Sequence, residues 1–254
     1  MLTRDDLVAA LSAIRVSAPV RADEVTGSTN AKAVALAEDG APAWTLVSAA
    51  HQTEGRGRLG RTWVDTPARA LLVSVVLRPE LPPNRAGLLA LGAGAAMAEA
   101  IRAQAGVPAT CKWPNDLLVG EHKVGGILAE SSVADGRLRY VVVGVGVNLD
   151  APEGIEGAGG IGEVGLRQLL TDFLVRFHEL YEGSAEAPLS SRVRAAWLSL
   201  SATIGRVVEA RTSTDELVRG RAVGIDDLGG LLLSTDDGGR TVAFGEIQHL
   251  DAAS

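Results

Sequence analysis

Residues Gly55-Arg56-Gly57-Arg58-Leu59-Gly60 spell a G-x-G-x-x-G pattern, and its flanking residues limit the fold more than any other feature of the chain. In a dinucleotide-binding turn this pattern leaves a strand and opens a helix, whose N-terminus meets the pyrophosphate. Here a β-like run, Thr45–Ala50, does precede it. On its C-terminal side, Arg61-Thr62-Trp63-Val64-Asp65-Thr66-Pro67 has no helical period and leads into a second strand-like run, Ala70–Leu77. The nucleotide-fold reading fails on that context. A protein-kinase loop fails as well, because no lysine comes next in a V-A-I-K strand. The pattern is then a glycine loop between strands. Its glycines let the backbone approach a ligand and leave the loop mobile. Arg56, Arg58 and Arg61 offer planar, permanently charged forks for carboxylate and phosphate. The combination reads as a lid whose arginines have nothing anionic to bind until a ligand arrives.

The rest of the chain has a mixed pattern. Helical spacing covers Asp5–Arg15, a stretch capped at Ser28-Thr29-Asn30 and ending at Gly40, Asn84–Ala105, Gly165–Tyr181 and Ser190–Leu200. Strands are predicted at Ala109–Lys112, Asn115–Val119, Lys123–Ser131 and Leu138–Val147, with Asp135-Gly136 as a hairpin turn. Pro152–Gly162 is glycine-rich and reads as a mobile loop. From Arg206 short strands succeed one another: Val207–Ala210, Leu217–Ile225, Leu231–Ser234, Val242–Phe244 and Ile247–Leu250. Such spacing suggests a small SH3-like barrel, expected to carry no ligand chemistry of its own. The expected fold is α+β: a mixed sheet backed by helices over residues 1–203, then the barrel over 204–254.

Composition narrows the function classes. A hydrophobic share of 46 % rules out a mainly disordered chain. No apolar run is expected to reach the ~20 residues of a membrane span. One cysteine, Cys111, and an acidic N-terminus suit the cytoplasm rather than secretion. A net charge of −7 disfavours nucleic acid as main partner. Four scattered histidines beside one cysteine make a zinc site improbable.

Two further segments carry chemistry. Lys112-Trp113-Pro114-Asn115-Asp116 sets polar groups around a proline that cannot join a central ladder. Lys123 then opens Lys123-Val124-Gly125-Gly126-Ile127-Leu128-Ala129-Glu130. A hairpin over Asp116–His122 would bring both lysines to one end of the sheet, and side-chain-free positions mark close ligand approach. Gly144-Val145-Gly146-Val147-Asn148 ends the next strand in the same way.

These segments, in this order after Gly27-Ser28-Thr29-Asn30, resemble the biotin protein ligase family, whose catalytic fold resembles that of class II aminoacyl-tRNA synthetases. The resemblance covers roughly Thr26–Asn148, with the barrel beyond. It implies an ATP-dependent enzyme that forms biotinyl-5′-AMP and passes biotin to a lysine of a biotin carboxyl carrier domain. It assigns Ser28, Thr29, Asn30 and Gln52 to the biotin head. Gly55, Arg56, Gly57 and Arg58 would close over the ligand. Lys123 would contact the biotin carboxylate and the α-phosphate, with Gly126, Gly144 and Gly146 beneath. Arg58, Arg61, Trp63, Lys112, Asn115, Asp116 and Asn148 would surround ATP. Lys123 and Arg58 are the expected catalytic pair. Mg²⁺ would enter mainly on the ATP phosphates, with Asn115 or Asp116 as protein-side candidates. Only about two dozen residues precede Gly27, so neither a DNA-binding domain nor DNA is expected; the expected state is a monomer or weak homodimer. A lipoate or octanoate ligase shares the adenylation logic, but its acyl tail is apolar where Ser28, Thr29 and Gln52 are polar. A peptide-binding adaptor would need clustered aromatics, and beyond Arg206 the chain has only Phe244.

Overall fold

The computed structural model describes residues 1–183, 187–212, 215–243 and 245–250. At its centre lies β3 (Ala70–Leu77), whose residues are all buried. An apolar run of this kind needs cover on both faces. Around it stand β1 (Val20–Thr26), β2 (Leu46–Gln52), β4 (Ala109–Lys112), β5 (Asp116–Val119), β6 (His122–Ala134) and β7 (Arg137–Asn148). The sheet order is β1-β2-β3-β7-β6-β5-β4. Only β1–β2 is parallel; the other pairs are antiparallel.

Helix α3 (Gly87–Ala105) packs on one face, with α4 (Leu166–Glu182) and α5 (Leu189–Ser199) behind it and α1 (Arg4–Ala13) against α4. Together with its leading turn, Pro83–Ala105 is long and apolar enough to cross a membrane, contrary to the sequence expectation. A helix apolar on all sides is also what a protein interior selects, and 67 % of its most apolar 18-residue window is buried here. On the other face α2 (Thr29–Glu38) covers only part of the sheet, packing Ala33 and Ala37 on Val47, Val76, Tyr140 and Val142. Past the first turn of α2 no helix covers the ends of β6 and β7 that carry Gly126 and Gly146, and a cavity lies there.

The second unit has β8 (Val207–Thr212), β9 (Leu217–Ile225), β10 (Leu231–Thr235), β11 (Gly238–Val242) and β12 (Gly245–His249) in the order β11-β10-β9-β8-β12. All its pairs are antiparallel. Its apolar side, including Val208, Ile225, Leu231 and Leu233, is continuous with the main core. Trp113 joins the units: its backbone N–H donates to Thr203 Oγ1 at 3.0 Å and its indole Nε1 to the Gly229 carbonyl at 3.0 Å.

Three expectations need correction. β1 escapes a pattern reading because Val-Arg-Ala-Asp-Glu-Val-Thr is mostly polar, as an exposed edge strand can be. The strand expected at Val242–Phe244 lies earlier, because β10 and β11 pair from Thr235↔Gly238 across a tight turn; Phe244 itself lies outside the described residues. The Pro152–Gly162 loop is tied down: Lys123 N–H donates to the Gly157 carbonyl and Gly159 N–H to the Lys123 carbonyl, both at 2.8 Å. Arg69 pairs with Asp150 and Glu163, which flank this loop, each at 2.5 Å.

Cys111 on β4 is 2 % exposed. Burial pushes its thiol up to about 12. Since the thiolate is the reacting form, an aromatic disulfide reagent at pH 8 should leave the folded protein unlabelled and modify one thiol after denaturation. Fast labelling of the native protein would contradict this burial.

Candidate active site

The uncovered part of the sheet forms the floor of a cavity of about 390 Å³, a size suited to a small ligand. All of the predicted site residues line it except Gly55 and Asn148. Gly55 borders a neighbouring cavity of about 1000 Å³ that shares Arg56, Gly57, Arg58 and Arg61 with the first. Asn148 borders neither; it is buried, and its backbone carbonyl accepts from Ile161 at the end of the tied loop.

One end of the cavity is polar and rigid. Ser28 caps α2, its hydroxyl accepting from Ala31 N–H at 3.4 Å, which leaves its proton free for a ligand. Thr29 donates from its N–H and its hydroxyl to Gln52 Oε1, at 2.7 and 3.0 Å. The Gln52 amide nitrogen is thereby kept as a donor for the cavity. Behind them Ser74, a polar residue in the otherwise apolar β3, lies 2.9 Å from Thr29 Oγ1 and 2.7 Å from Asn30 Oδ1. Asn30 donates to the Leu128 carbonyl at 3.2 Å and to Glu130 at 2.8 Å. Asn30 is therefore a brace for this end, with its amide engaged inside the protein. Buried Asp65 braces it from below, 2.9 Å from His51 Nδ1 and accepting from Gln52 N–H at 3.3 Å.

The strand glycines have a different use from a bare floor. A Cβ at Gly144 would lie 2.0 Å from Asn30 Oδ1, and one at Gly146 would lie 2.8 Å from the Trp63 indole. Glycine at these positions lets Asn30 and Trp63 lie flat on β7 and form the cavity walls. The Trp63 Nε1 is buried without a hydrogen-bond partner among the described residues, as suits a wall that meets a ligand acceptor.

The other end is cationic. Lys123 Nζ lies 2.5 Å from Asp116 Oδ1, and Lys112 faces Asp116 across the β4–β5 pair. The corner between them is fixed by Asn115, which donates from Nδ2 to the Ile127 carbonyl at 2.8 Å. The two lysines thus lie at one end of the sheet, as the hairpin reading required.

The lid arginines already have partners, against expectation. Arg56 lies 3.6 Å from Glu130, Arg61 pairs with Glu246, and Arg58 donates to the Gly245 carbonyl at 3.0 Å. Burial pulls the Arg58 guanidinium below its usual range, while Glu246 and Asp116 oppose that shift. The barrel, assigned no ligand chemistry from sequence, supplies the partners of Arg58 and Arg61 from β12, and Glu209, Arg211, Leu217, Ile247 and Gln248 complete that wall. The lid and β12 are too far apart in sequence for any local pattern to link them. Ser74 did have a signal, as the one polar residue in a buried strand.

Comparison with known proteins identifies the family. Residues 24–148 match the Biotin/lipoate A/B protein ligase family and residues 203–250 the Biotin protein ligase C terminal domain. The chain is 36 % identical over 243 residues to a biotin–[acetyl-CoA-carboxylase] ligase of Paracoccus denitrificans, covering 87 % of this chain and 97 % of that one. A Mycobacterium tuberculosis protein of the same name is 36 % identical over 241 residues, covering 89 % and 86 %. Among solved structures, the biotin protein ligase from Aquifex aeolicus in complex with biotin and ATP superposes with a TM-score of 0.71 at 25 % identity, covering 91 % and 97 %. The chain belongs to the biotin protein ligase family.

Proposed function

We propose that this protein is a biotin–[biotin carboxyl-carrier protein] ligase: it joins biotin to AMP at the expense of ATP, then transfers biotin to a lysine of a carrier domain in the cytoplasm. Residues 1–203 hold both substrates, and residues 204–254 close the phosphate end. The observation that carries the reading is a single cavity with neutral hydrogen-bonding groups at one end and Lys123, Arg58, Arg61 and Lys112 at the other. The first end suits a ureido ring, the second a carboxylate beside a triphosphate.

The biotin carboxylate is ionised at neutral pH, so its attack on the α-phosphorus needs alignment and charge stabilisation more than a base. Ser28, Thr29 and Gln52 fix the ring. Trp63 walls the middle of the cavity, and Lys123 spans the carboxylate and the α-phosphate. Arg58 and Arg61 leave Gly245 and Glu246 to meet phosphate oxygens, and the bond to pyrophosphate breaks as the mixed anhydride forms. In the second step the acceptor amine attacks the anhydride carbonyl and AMP departs. Mg²⁺ would enter mainly on the ATP phosphates and offset their charge, with Asn115 or Asp116 as the protein-side candidates.

Pyrophosphate release measured in parallel with biotin, lipoate and octanoate tests the assignment. Turnover confined to biotin is expected, and turnover with lipoate or octanoate alone would reverse it. Arg58→Gly should still form the adenylate but lose it to water and stray amines, because the lid loses a half-buried charge-assisted contact. With serum albumin present, biotin should appear on albumin more strongly than with wild type. Equal albumin labelling with adenylation intact would remove Arg58 from retention.

A further inference from the structure

Glu130 ends the Lys123–Glu130 segment, and neither step of the proposed reaction uses it. Side chains alternate along a strand, so Gly126, Leu128 and Glu130 face the cavity side of β6, while Ile127 faces α3, 3.7 Å from where a Gly94 Cβ would stand. The Glu130 carboxylate is divided between two structures. Oε2 accepts from Asn30 Nδ2 at 2.8 Å, and Oε1 lies 3.6 Å from the Arg56 guanidinium. Asn30 is 4 % exposed and belongs to the polar end of the cavity. Arg56, its side chain 52 % exposed, belongs to the lid. One carboxylate therefore touches the fixed wall that shapes the biotin-head end and the first arginine of the segment that must cover the ligand.

We propose that Glu130 is a positioning residue that sets the lid against the biotin-head end of the cavity. Through Oε2 it fixes Asn30, whose other amide atom meets Ser74 and so steadies Thr29 and Gln52. Through Oε1 it gives Arg56 a docking point on the sheet, so that the lid closes in one place. The Asn30 contact is a short hydrogen bond to a buried amide, and the Arg56 contact is a looser, half-exposed ion pair. The first governs ring binding more strongly, and the second governs retention of the adenylate.

This role for Glu130 rests on the biotin ligase reading, and the test separates the two. Wild type, Glu130→Gln and Glu130→Ala are assayed as full chains for the KM for biotin and kcat in pyrophosphate release. Escape of biotinyl-5′-AMP is measured as biotin on serum albumin. Glu130→Ala loses both contacts and should raise the KM for biotin about tenfold. Glu130→Gln keeps an acceptor for Asn30 but loses the charge facing Arg56. It should recover most of the KM, while adenylate escape stays about two- to fivefold above wild type and the difference shrinks at high salt. A structural role alone would lower Tm and enzyme yield in both variants without splitting KM from escape. A Glu130→Gln protein that retains adenylate like wild type at low salt overturns the lid half, and an unchanged KM in Glu130→Ala overturns the pocket half. Wild type that releases no pyrophosphate with biotin refutes the function reading itself, and the role of Glu130 falls with it.

Discussion

Lys123→Ala should lower biotin-dependent pyrophosphate release by about 10²–10³-fold, the usual cost of losing one charge-stabilising contact to a transition state. The fold should survive. Lys123 is 42 % exposed at its side chain and its ion partner is Asp116, and exposed pairs of this kind add little stability. The backbone at this position is held by main-chain bonds to Gly157 and Gly159, which do not depend on the side chain. The substitution also leaves the Asp116 carboxylate without its neutralising neighbour, next to the place where carboxylate and phosphate must meet. Lys123→Arg keeps the charge with a different reach, so it should fall between the two. Near-normal pyrophosphate release by the alanine variant would take Lys123 out of the mechanism.

Deleting residues from Arg206 onward should abolish ligation and damage the catalytic unit. The barrel gives Arg58 and Arg61 their partners, walls one side of the cavity, and accepts the Trp113 indole proton through Gly229. Removing it exposes Trp113 and exchanges that hydrogen bond for one to water, a net loss of about 0.5–1.5 kcal/mol. Apolar surface that now packs on Val208, Ile225 and Leu231 would also meet water. Circular dichroism melting and a carrier-biotinylation assay on the truncated protein check this. A truncation that melts like the full chain and biotinylates at full rate would show the barrel to be dispensable.

The helices and most strands are legible in the sequence because each carries its own period or cap. The N-terminal turn of α2 is an instance: Ser28 begins it, and Thr29 and Asn30 project from it as expected. Gly126, Gly144 and Gly146 do border the cavity, but the side chains resting on Gly144 and Gly146 have no local signal. Nothing in Gly144 announces Asn30, and nothing in Gly146 announces Trp63, since such contacts arise only when the sheet assembles. The Arg61–Glu246 pair has the same origin, which is why the lid, read alone, lacks anionic partners. His51–Asp65 spans the lid and is hidden between two segments read separately. Asn148 lies away from the cavity for another reason. It shares the face of Gly144 and Gly146, but it stands at the last position of β7, where the chain from Leu149 to Ile161 returns over it and buries it.

Trp63 lying on Gly146 has an optical consequence. The chain has four tryptophans, and three of them, Trp44, Trp113 and Trp197, are 5 %, 2 % and 1 % exposed. Their surroundings are set by packing, and Trp113 is further held by its bond to Gly229. Trp63 stands at the cavity wall with its indole donor unmatched among the described residues. Trp113 also borders the cavity, but its indole N–H is already engaged, so Trp63 emission should respond most when a ligand acceptor and a closed lid replace the present surroundings. The protein thus carries its own gauge of cavity occupancy, and a Trp63→Phe chain is the blank against which it can be read.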